Sequence, residues 1–397
     1  MLKMINKHST HIEDFVFTNH KRGLIDAVKG LQYIVENNGK DLSNAVSVKI
    51  DGAPAILWGY GEKGFFVASK SIFNKQSKIN YSIDEIYENH SGELADKLAC
   101  CFENLSKITV SSNKVYQGDL LYTNDLKVIT HNNKSLVLFH PNTIVYAVES
   151  DSDVGKQILA SKVGIAVHTE YVWDQINPAS LRINKFGITV DQFKRKKDVF
   201  IVDTVSRLKK NNVRFGKGEY NKIIKQLNDS IELADNIDWN LFDKQQIVET
   251  SLLTFINKFI RDNRRMPNPT SRYDLYKRWV DQRVAEAIES KKTERGKQNV
   301  VDRLHCMITL EQYKSSIITL FNIFDLITDV KNVIIKRLNN LSMYQNFVIK
   351  SNGDFESTGE EGFVITTTSA KGAKLVDRYT FSRNNFSKEI IKGFQHK

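Results

Sequence analysis

The sequence predicts an α+β protein in which a large helical insertion interrupts a largely antiparallel sheet domain. Short runs rich in β-branched and aromatic residues, together with two helical segments, occupy the chain up to about residue 175. Amphipathic segments with helical spacing then follow one another from about residue 185 to 345, and a strand pattern returns near the end. We therefore expect the sheet domain in 1–180 and 349–397, and the insertion in 181–348.

Length and composition limit the class of protein. The chain has 397 residues, 41% of them hydrophobic, which is enough for two cores. No apolar run is long enough to cross a membrane, and "MLKMINKHSTHIEDF" lacks the apolar core of a signal peptide. The three cysteines form no disulfide framework and share no ligand spacing with the nine histidines. We expect a soluble monomer of the cytoplasm, or of the host cytoplasm if the protein is viral, with no membrane partner.

The chain is basic, with a formal charge of +11 from 57 basic and 46 acidic residues. A basic excess favours polyanionic partners, because each neutralised phosphate releases counterions. A solvated basic surface explains the charge equally well. Charge alone leaves both interpretations open.

The first predicted element is a helix within "HIEDFVFTNHKRGLIDAVKGLQYIVENNGK". Leu24, Val28 and Leu31 share one helical face, and Asn38 and Gly39 form a typical C-terminal cap. The following "NAVSVKIDGAPAILWGYGEKGFFVASKSIFNK" has short apolar runs around a glycine-containing turn, which predicts a strand and a hairpin. That turn lacks the Gly-Lys-Ser/Thr ending of a phosphate-binding loop.

The remaining elements follow from the same patterns. A second helix is predicted in "SIDEIYENHSGELADKLACCFENLSKI", and strands in "NKVYQGDLLYT", "SLVLFHPNTIVYAV" and "KVGIAVHTEYVW". Four insertion helices are predicted in "YNKIIKQLNDSIELA", "FDKQQIVETSLLTFINKFIRDN", "SRYDLYKRWVDQRVAEAIESKK" and "SSIITLFNIFDLITDVKNVIIKRLNNL". The last strands are predicted in "EEGFVITTTSAKGAKLVDRYTF".

Five short motifs occur in order along the predicted strands. They are Lys49-Ile50-Asp51-Gly52, Ser69-Lys70, Gly118-Asp119-Leu120, Glu361-Gly362-Phe363-Val364 and Lys374-Leu375. This order resembles that of the covalent nucleotidyltransferases, which include ATP-dependent RNA and DNA ligases and mRNA capping enzymes. "DGAPA" and "FHPNTIVYAV" resemble phage-encoded members. The resemblance implies an antiparallel-sheet, ATP-grasp-like adenylation domain and a covalent lysine–AMP intermediate.

A nucleophilic role would explain why Lys49 lies within an apolar strand. An amine attacks the α-phosphate of ATP only when it is unprotonated, whereas an ordinary lysine has a pKa of about 10.4. Burial and neighbouring cations or metal lower that pKa, so we expect a lowered pKa for Lys49. The alternative is a lysine whose stem crosses the sheet to a solvated amine.

The resemblance implies cations around the phosphates and carboxylates around a metal. Lys374 is expected to clamp the α-phosphate, with Lys371 or Arg378 as helpers. Glu361 and Asp119 are expected to organise Mg²⁺ or Mn²⁺, and Asp119 also the ribose. Strand alternation points Glu361 and its neighbour Glu360 to opposite faces, so only one faces the pocket. Ser69 and Lys70 match a pair that contacts the ribose and the incoming 5′-phosphate.

The implied nucleotide-binding set is wider than the motifs. Its members are Ser47, Val48, Ile50, Gly52, Lys70, Asp119, Tyr146, Glu361 and Lys371. Ligases usually place an acid before the lysine to read adenine; here Ser47 and Val48 occupy those positions, which leaves the choice of ATP less secure. Tyr146, Tyr171 and Trp173 are candidates for stacking on the base, and core packing is the alternative role for each.

The insertion is expected to bind nucleic acid. Few residues follow Lys374, which leaves no room for the OB-fold of DNA ligases and capping enzymes and favours an RNA ligase with a helical clamp. The expected nucleic-acid contacts are Lys70, Arg264, Arg265, Arg272, Lys277 and Arg278. Tyr273, Tyr276 and Trp279 are interleaved with them. The alternative is a solvated helix face with Tyr276 and Trp279 packed inward.

These observations predict an ATP-dependent polynucleotide ligase that joins 5′-phosphate to 3′-hydroxyl ends, with RNA as the expected substrate. A DNA nick ligase is the alternative enzyme. A nucleic-acid-binding or virion-associated protein that keeps the fold without the reaction is the alternative from another class.

Overall fold

The computed structural model describes residues 10–110, 112–131, 133–174, 177–205, 208, 213–243, 246–304, 310–339 and 344–393. The helices in these ranges are α1 (Phe15–Thr18), α2 (His20–Glu36), α3 (Ile83–Asn89), α4 (Gly92–Ile108), α5 (Asp153–Ala160), α6 (Lys217–Leu233), α7 (Asn240–Asp243), α8 (Gln246–Arg261), α9 (Pro269–Glu289), α10 (Glu294–Arg303), α11 (Lys314–Asn339) and α12 (Arg378–Phe386). Short 3-10 helices lie at Ile12–Asp14, Lys70–Phe73, Pro178–Ser180, Val190–Gln192, Ala234–Asn236 and Leu310–Tyr313.

The strands form three sheets. They are β1 (Val46–Lys49), β2 (Ala55–Gly61), β3 (Gly64–Ala68), β4 (Lys114–Tyr122), β5 (Lys127–His131), β6 (Lys134–Phe139), β7 (Val145–Glu149), β8 (Val163–Val172), β9 (Arg182–Phe186), β10 (Val199–Ile201), β11 (Gln345–Lys350), β12 (Phe355–Ser357), β13 (Gly362–Ile365), β14 (Lys374–Leu375) and β15 (Ile390–Ile391). The strand orders are β1-β13-β14, β10-β8-β4-β2-β3 with β9 on β8, and β12-β11-β7-β6-β5 with β15 on β11. All pairs are antiparallel except β10 with β8. The predicted α+β class with antiparallel sheets is confirmed.

The small sheet joins the two ends of the chain. Lys49, the last residue of β1, lies opposite Gly362 at the start of β13, and Val364 lies opposite Lys374 of β14. The sequence motif that contains Lys49 is therefore a direct neighbour of the two motifs near the C-terminus.

One core connects this sheet to the helices. The apolar face predicted from Leu24, Val28 and Leu31 is buried in α2. The same buried cluster includes Phe321 of α11 and Phe363 of β13. The helical block therefore packs on the N-terminal helices and on the β1 sheet, and it does not have a separate core of its own within the described residues.

The helical block is shorter than the sequence predicts. β9 and β10 lie inside the range 181–348 and extend the sheet that contains β8. β9 gave no clear β signal because it is an edge strand, mostly exposed on both faces. The helices of the block run from Lys217 to Asn339, and β11 then begins before the expected boundary at residue 348.

Within the described ranges, no helix combines the length and apolar character that a membrane crossing requires.

Candidate active site

Lys49 and Glu361 form a partly buried ion pair at the edge of the small sheet. The Lys49 Nζ contacts Glu361 Oε1, and their side chains are 23% and 5% exposed. Gly362, which follows Glu361, lets β13 lie close to β14, because a Cβ there would lie 2.5 Å from the carbonyl oxygen of Leu375. Lys49 is thus held against a carboxylate and still reaches solvent.

Asp51 fixes the turn that follows Lys49. Its carboxylate accepts hydrogen bonds from Asn142 Nδ2 at 2.9 Å and from the backbone N–H groups of Thr143 and Ile144 at 2.8 and 3.0 Å. The Asp51 N–H donates to the Tyr146 hydroxyl at 2.7 Å. Asp51 therefore connects the turn after β1 to the segment that leads into β7.

Gly52 brings the same turn against β4. A Cβ on Gly52 would lie 2.8 Å from the Asp119 Cβ and 2.9 Å from the Leu120 carbonyl oxygen, closer than side chains pack. The turn thereby places Asp119 beside the Lys49 strand.

His168 supports Asp119 from the neighbouring strand. Its Nε2 lies 3.7 Å from Asp119 Oδ1. The register between β4 and β8 shifts between Gln117 and Gly118, so His168 is the extra residue of a bulge. Bulges redirect side chains, which explains why His168 faces β4.

The pKa of Lys49 differs from the expectation. Burial would lower it, but the carboxylates outweigh burial, Glu361 most strongly, then Asp119 and Asp51, and they raise the pKa above its usual value. The predicted lowering is therefore wrong for the ligand-free protein. The amine is protonated in this state because carboxylates surround it.

The pKa values of Glu361 and Asp119 shift in opposite directions. Burial raises the pKa of Glu361, the nearby Asp51 and Asp119 add to this, and Lys49 only partly offsets it. The pKa of Asp119 is lowered although burial opposes this, because His168, Lys49 and Lys70 favour its charged form. Asp119 is the more firmly ionised acid, whereas Glu361 takes up a proton more easily.

Two further lysines border the pair without acid partners. Lys374 on β14 has a pKa lowered by burial and then by Lys49, whose positive charge outweighs Glu361. Lys70 is exposed at the start of a 3-10 helix whose preceding residue, Ser69, caps it by accepting from the Ser71 N–H. Across the part of the chain that the structure describes, neither lysine forms an ion pair. Their charge is available to an anion.

The other expected site residues lie partly in the core and partly on the surface. Ser47 and Ile50 are buried, and the Val48 N–H donates to the Thr204 carbonyl. Lys371 donates to the Asn184 carbonyl at 2.5 Å on the surface. Arg378, a proposed phosphate helper, is wrong in that role because it is buried in another ion cluster.

Tyr146 is wrong as the residue that stacks on a base. Its ring is fully buried and stacks on Phe139 at 5.1 Å, and its hydroxyl is bonded to Asp51. Tyr171 and Trp173 are 5% and 4% exposed. Core packing, the alternative role, describes all three aromatic residues.

The basic helical surface is smaller than expected. Arg272 is 2% exposed, because its guanidinium forms a fork with Asp325 and lies over Phe321, so its assignment to nucleic-acid contact is wrong. Tyr273 and Tyr276 are buried in the core as well.

Four of the expected cations remain on the surface. Arg264, Arg265 and Arg278 are exposed, and Arg264 lies over the ring of Phe259 at 4.9 Å. Lys277 is partly exposed and pairs with Asp281 at 2.5 Å. These residues and exposed Lys70 are what is left of the predicted nucleic-acid contacts.

Sequence reasoning missed His168 and Asn142. His168 carried only the weak signal of a lone histidine in an apolar strand, and the bulge that redirects it has no pattern of its own. Asn142 follows the strand pattern in "FHPNTIVYAV", but its bond to Asp51 joins residues 91 positions apart.

Metal ligands are sparse at this site. In the described ranges, no group of three or more histidine, cysteine, aspartate or glutamate side chains is arranged to hold a metal ion. Glu361 Oε2 is buried and has no hydrogen-bond partner there. It borders a cavity of about 180 Å³ that Asp51 and Glu360 also line. The site thus offers a free carboxylate oxygen but not a complete ligand set.

Comparison with known proteins identifies the family but not a function. No curated protein and no solved structure matches the chain significantly. A family model, DUF6267, described as a family of unknown function, matches residues 6–390. Since this match spans nearly all of the sequence, the chain belongs to the DUF6267 family.

Proposed function

We propose that this protein is an ATP-dependent polynucleotide ligase, with RNA as its substrate, which works through a covalent Lys49–AMP intermediate. The observation that supports the proposal is the small sheet, which brings the Lys49, Glu361 and Lys374 motifs together from opposite ends of the chain. Each of these strands carries a residue type that nucleotidyl transfer requires.

The charges around Lys49 suit a nucleoside triphosphate. Lys70 and Lys374 have no acid partners among the described residues, and they border the ionised Asp119 and the Lys49–Glu361 pair. Phosphoryl transfer depends mainly on positioning and on cations that offset the charge of the transferred group. The two lysines supply this charge from a 3-10 helix and from β14.

The ion pair gives Lys49 a route to its reactive form. In the proposed reaction the Lys49 amine loses a proton, attacks the α-phosphorus and forms an N–P bond, while the bond to the β-phosphate breaks and pyrophosphate leaves. Glu361 is in contact with the amine, and its raised pKa makes it a suitable acceptor for that proton. A phosphate beside Lys374 would also compete with Glu361 for the positive charge of Lys49.

Divalent metal fits the site in part. Glu361 Oε2 has no partner in the described structure, and Asp119 is ionised. These two carboxylates would hold Mg²⁺ or Mn²⁺, which prefer hard oxygen ligands. Such an ion would supply positive charge at the transferring phosphate. With only two protein ligands, the nucleotide would have to complete its coordination.

The exposed cations of the helical block suit a polynucleotide. Arg264 and Arg265 lie in the loop between α8 and α9, and Arg278 lies on α9. Arginine side chains position phosphate backbones without reading sequence. These three residues are the nucleic-acid contacts that the proposal retains within the block.

The test is covalent labelling. Purified protein is incubated with α-labelled ATP and Mg²⁺ or Mn²⁺, denatured, and examined for label on the polypeptide. We expect label that pyrophosphate removes, no label on Lys49→Ala, and normal labelling of Lys156→Ala, an exposed lysine of α5. Folded wild-type protein that stays unlabelled with both metals would refute the proposed reaction.

Substrate is tested separately. Labelled protein is offered single-stranded RNA with 5′-phosphate ends, broken RNA hairpins and nicked duplex DNA. The proposal expects joined RNA. Sealing of DNA nicks alone would refute the RNA assignment and leave the DNA ligase.

One observation favours a second function. The raised pKa of Lys49 and its pairing with Glu361 keep the amine protonated in the ligand-free protein. A nucleic-acid-binding or virion-associated protein would need no reactive amine. That function predicts polynucleotide binding that Lys49→Ala leaves intact, without covalent label under any condition.

A further inference from the structure

A second cavity, of about 270 Å³, lies apart from the Lys49–Glu361 pair, between α8, α12 and the N-terminal segment before α1. Its volume is near the lower end of the range for small-ligand sites. His11, which borders it, forms a backbone bridge with Lys374. The cavity is thus adjacent to β14 through the backbone, while its lining comes from other elements.

The polar lining of this cavity is incomplete. Ser382 is 3% exposed, yet its hydroxyl has no hydrogen-bond partner in the described residues. His11 Nδ1 is also buried and without a partner there. Buried polar atoms are almost always hydrogen-bonded, because an unmade bond destabilises the fold. Two such atoms in the wall of one cavity indicate a ligand that completes them.

The charged lining is entirely cationic. Arg261 and Arg378 border the cavity, and no carboxylate from the described ranges does. Arg378 is already paired, since Asp14 and Glu13 accept from its Nη1 and Asn257, which also lines the cavity, accepts from its Nη2. Arg261 is exposed in the last turn of α8 and is free to bend toward a ligand. The guanidinium of Arg261 suits an oxyanion, because arginine matches phosphate geometry.

The remaining wall is apolar and partly aromatic. Ile260 and Phe381 line the cavity, and Phe386 stands at it with 63% of its surface exposed. An exposed phenylalanine beside cations offers a stacking surface for a flat ring, and bases stack on such rings without sequence preference. A simple inorganic anion would leave this wall unused.

We propose that this cavity binds a nucleoside monophosphate unit, with its phosphate at Arg261, Ser382 and His11 and its base against Phe386. The unit is either a free nucleotide or the 5′-phosphorylated end of a strand. The site is independent of the adenylation proposed for Lys49, because it shares none of the residues of that reaction.

The test measures binding by calorimetry without ATP, and variants of the cavity residues distinguish binding there from binding at the Lys49 site. The probes are inorganic phosphate, AMP, and an RNA dinucleotide with or without a 5′-phosphate. We expect saturable binding of AMP and of the phosphorylated dinucleotide, and at least tenfold weaker binding of inorganic phosphate and of the 5′-hydroxyl dinucleotide. Tighter binding of the phosphorylated dinucleotide than of AMP would assign the site to strand ends, and the reverse to free nucleotide.

Two variants separate a ligand contact from a structural role. Ser382→Ala removes an unpaired buried hydroxyl, so the free protein should melt at a higher temperature while AMP binding weakens by about tenfold. Arg261→Ala should weaken binding by a similar factor at an unchanged melting temperature, and Lys156→Ala should change neither. Equal affinity for inorganic phosphate and AMP, or affinity unaltered by both variants, would overturn the proposal. Lys49→Ala should still bind AMP at this cavity. Failure of the Lys49 adenylation can therefore be told apart from failure of the cavity to bind AMP.

Discussion

Two lysine–glutamate pairs in this protein, one fully and one partly buried, have the same chemistry and different surroundings. Lys331 of α11 donates to Glu13 at 2.6 Å, and their side chains are 1% and 0% exposed. Lys49 pairs with Glu361, but its side chain is 23% exposed. Both pairs join distant parts of the chain, so topology does not distinguish them. Access to solvent does.

The neighbours of each pair explain the difference. Around Lys331, Arg378 pairs with both Glu13 and Asp14, so that two cations and two acids lie against one another inside the core. Around Lys49, the additional cations Lys70 and Lys374 have no acid partners in the described residues. The first arrangement ties three segments together, and the charges of its two cations are balanced by its own two acids. The second leaves positive charge at an open edge, which is what an anionic substrate needs.

The largest expected effect is on stability, and it tests whether the Lys331 pair is structural. Lys331→Met should lower the free energy of unfolding by about 3–5 kcal/mol, because it removes the closer of the two cations that pair with the fully buried Glu13 carboxylate. Lys49→Met should cost about 1 kcal/mol or less, since Glu361 takes up a proton more readily. Urea unfolding at neutral pH measures both. Equal losses in the two variants would remove the distinction.

The next effect is on nucleotide affinity. It tests whether the cations around the Lys49–Glu361 pair are open to anions. Lys374→Ala should weaken ATP binding by about tenfold or more, because a charged hydrogen-bond donor to a phosphate is lost. Lys156→Ala provides the charge-matched control. Calorimetric titration with ATP measures the change. An affinity that falls equally in both variants would indicate a general charge effect.

The sequence predicted the strands around Lys49 better than it predicted how those strands pair. The Lys49, Glu361 and Lys374 segments were expected as strands, because short apolar runs beside turn residues carry a local signal. The register that places Lys49 opposite Gly362 has no local signal, since it depends on pairing between chain ends.

The failures have the same physical origin. Arg272 and Tyr276 lie in a basic, aromatic stretch whose helical period was visible, but Arg272 finds Asp325 and Tyr276 finds Ser251 on other helices. Likewise, the raised pKa of Lys49 follows mainly from Glu361 and Asp119, which lie on two other segments. Residue type and spacing give the face of a helix or strand, while the partner that covers it is set by tertiary packing.

A smaller effect is expected on the pKa of Lys49 itself. Among the carboxylates Glu361 contributes most to raising it, so Glu361→Gln should lower that pKa. NMR titration of ¹³C-methylated lysines measures the shift. Glu356→Gln, which removes a surface partner of Lys350, is the matched control. An unchanged pKa in Glu361→Gln would mean that the pair is not formed in solution.

The smallest effect is the dependence of stability on acidic pH. It arises in the buried cluster of Glu13, Asp14, Lys331 and Arg378, called the closed cluster below. Burial raises the pKa of Asp14 to about 6, while Glu13, held by Lys331 and Arg378 against the opposing effect of burial, has its pKa lowered to about 2. An acid with a raised folded-state pKa binds its proton more tightly when folded, so Asp14 adds stability as pH falls from about 6 toward 3.8. Glu13 acts in the opposite sense and loses its contribution as pH falls from 4.5 toward about 2.

Asp14→Asn isolates the first of these two contributions. The amide keeps an oxygen acceptor for Arg378 but cannot titrate, so the gain in stability between pH 6 and 4, on the order of 1 kcal/mol in the wild type, should vanish. The loss below pH 4.5 should persist, because Glu13 is unchanged. Urea unfolding across this range gives both slopes, and Asp26→Asn on α2 is the control for a surface acid. A wild-type curve that only falls with acid would show that Arg378 keeps Asp14 ionised, and the closed cluster would then be fully charged.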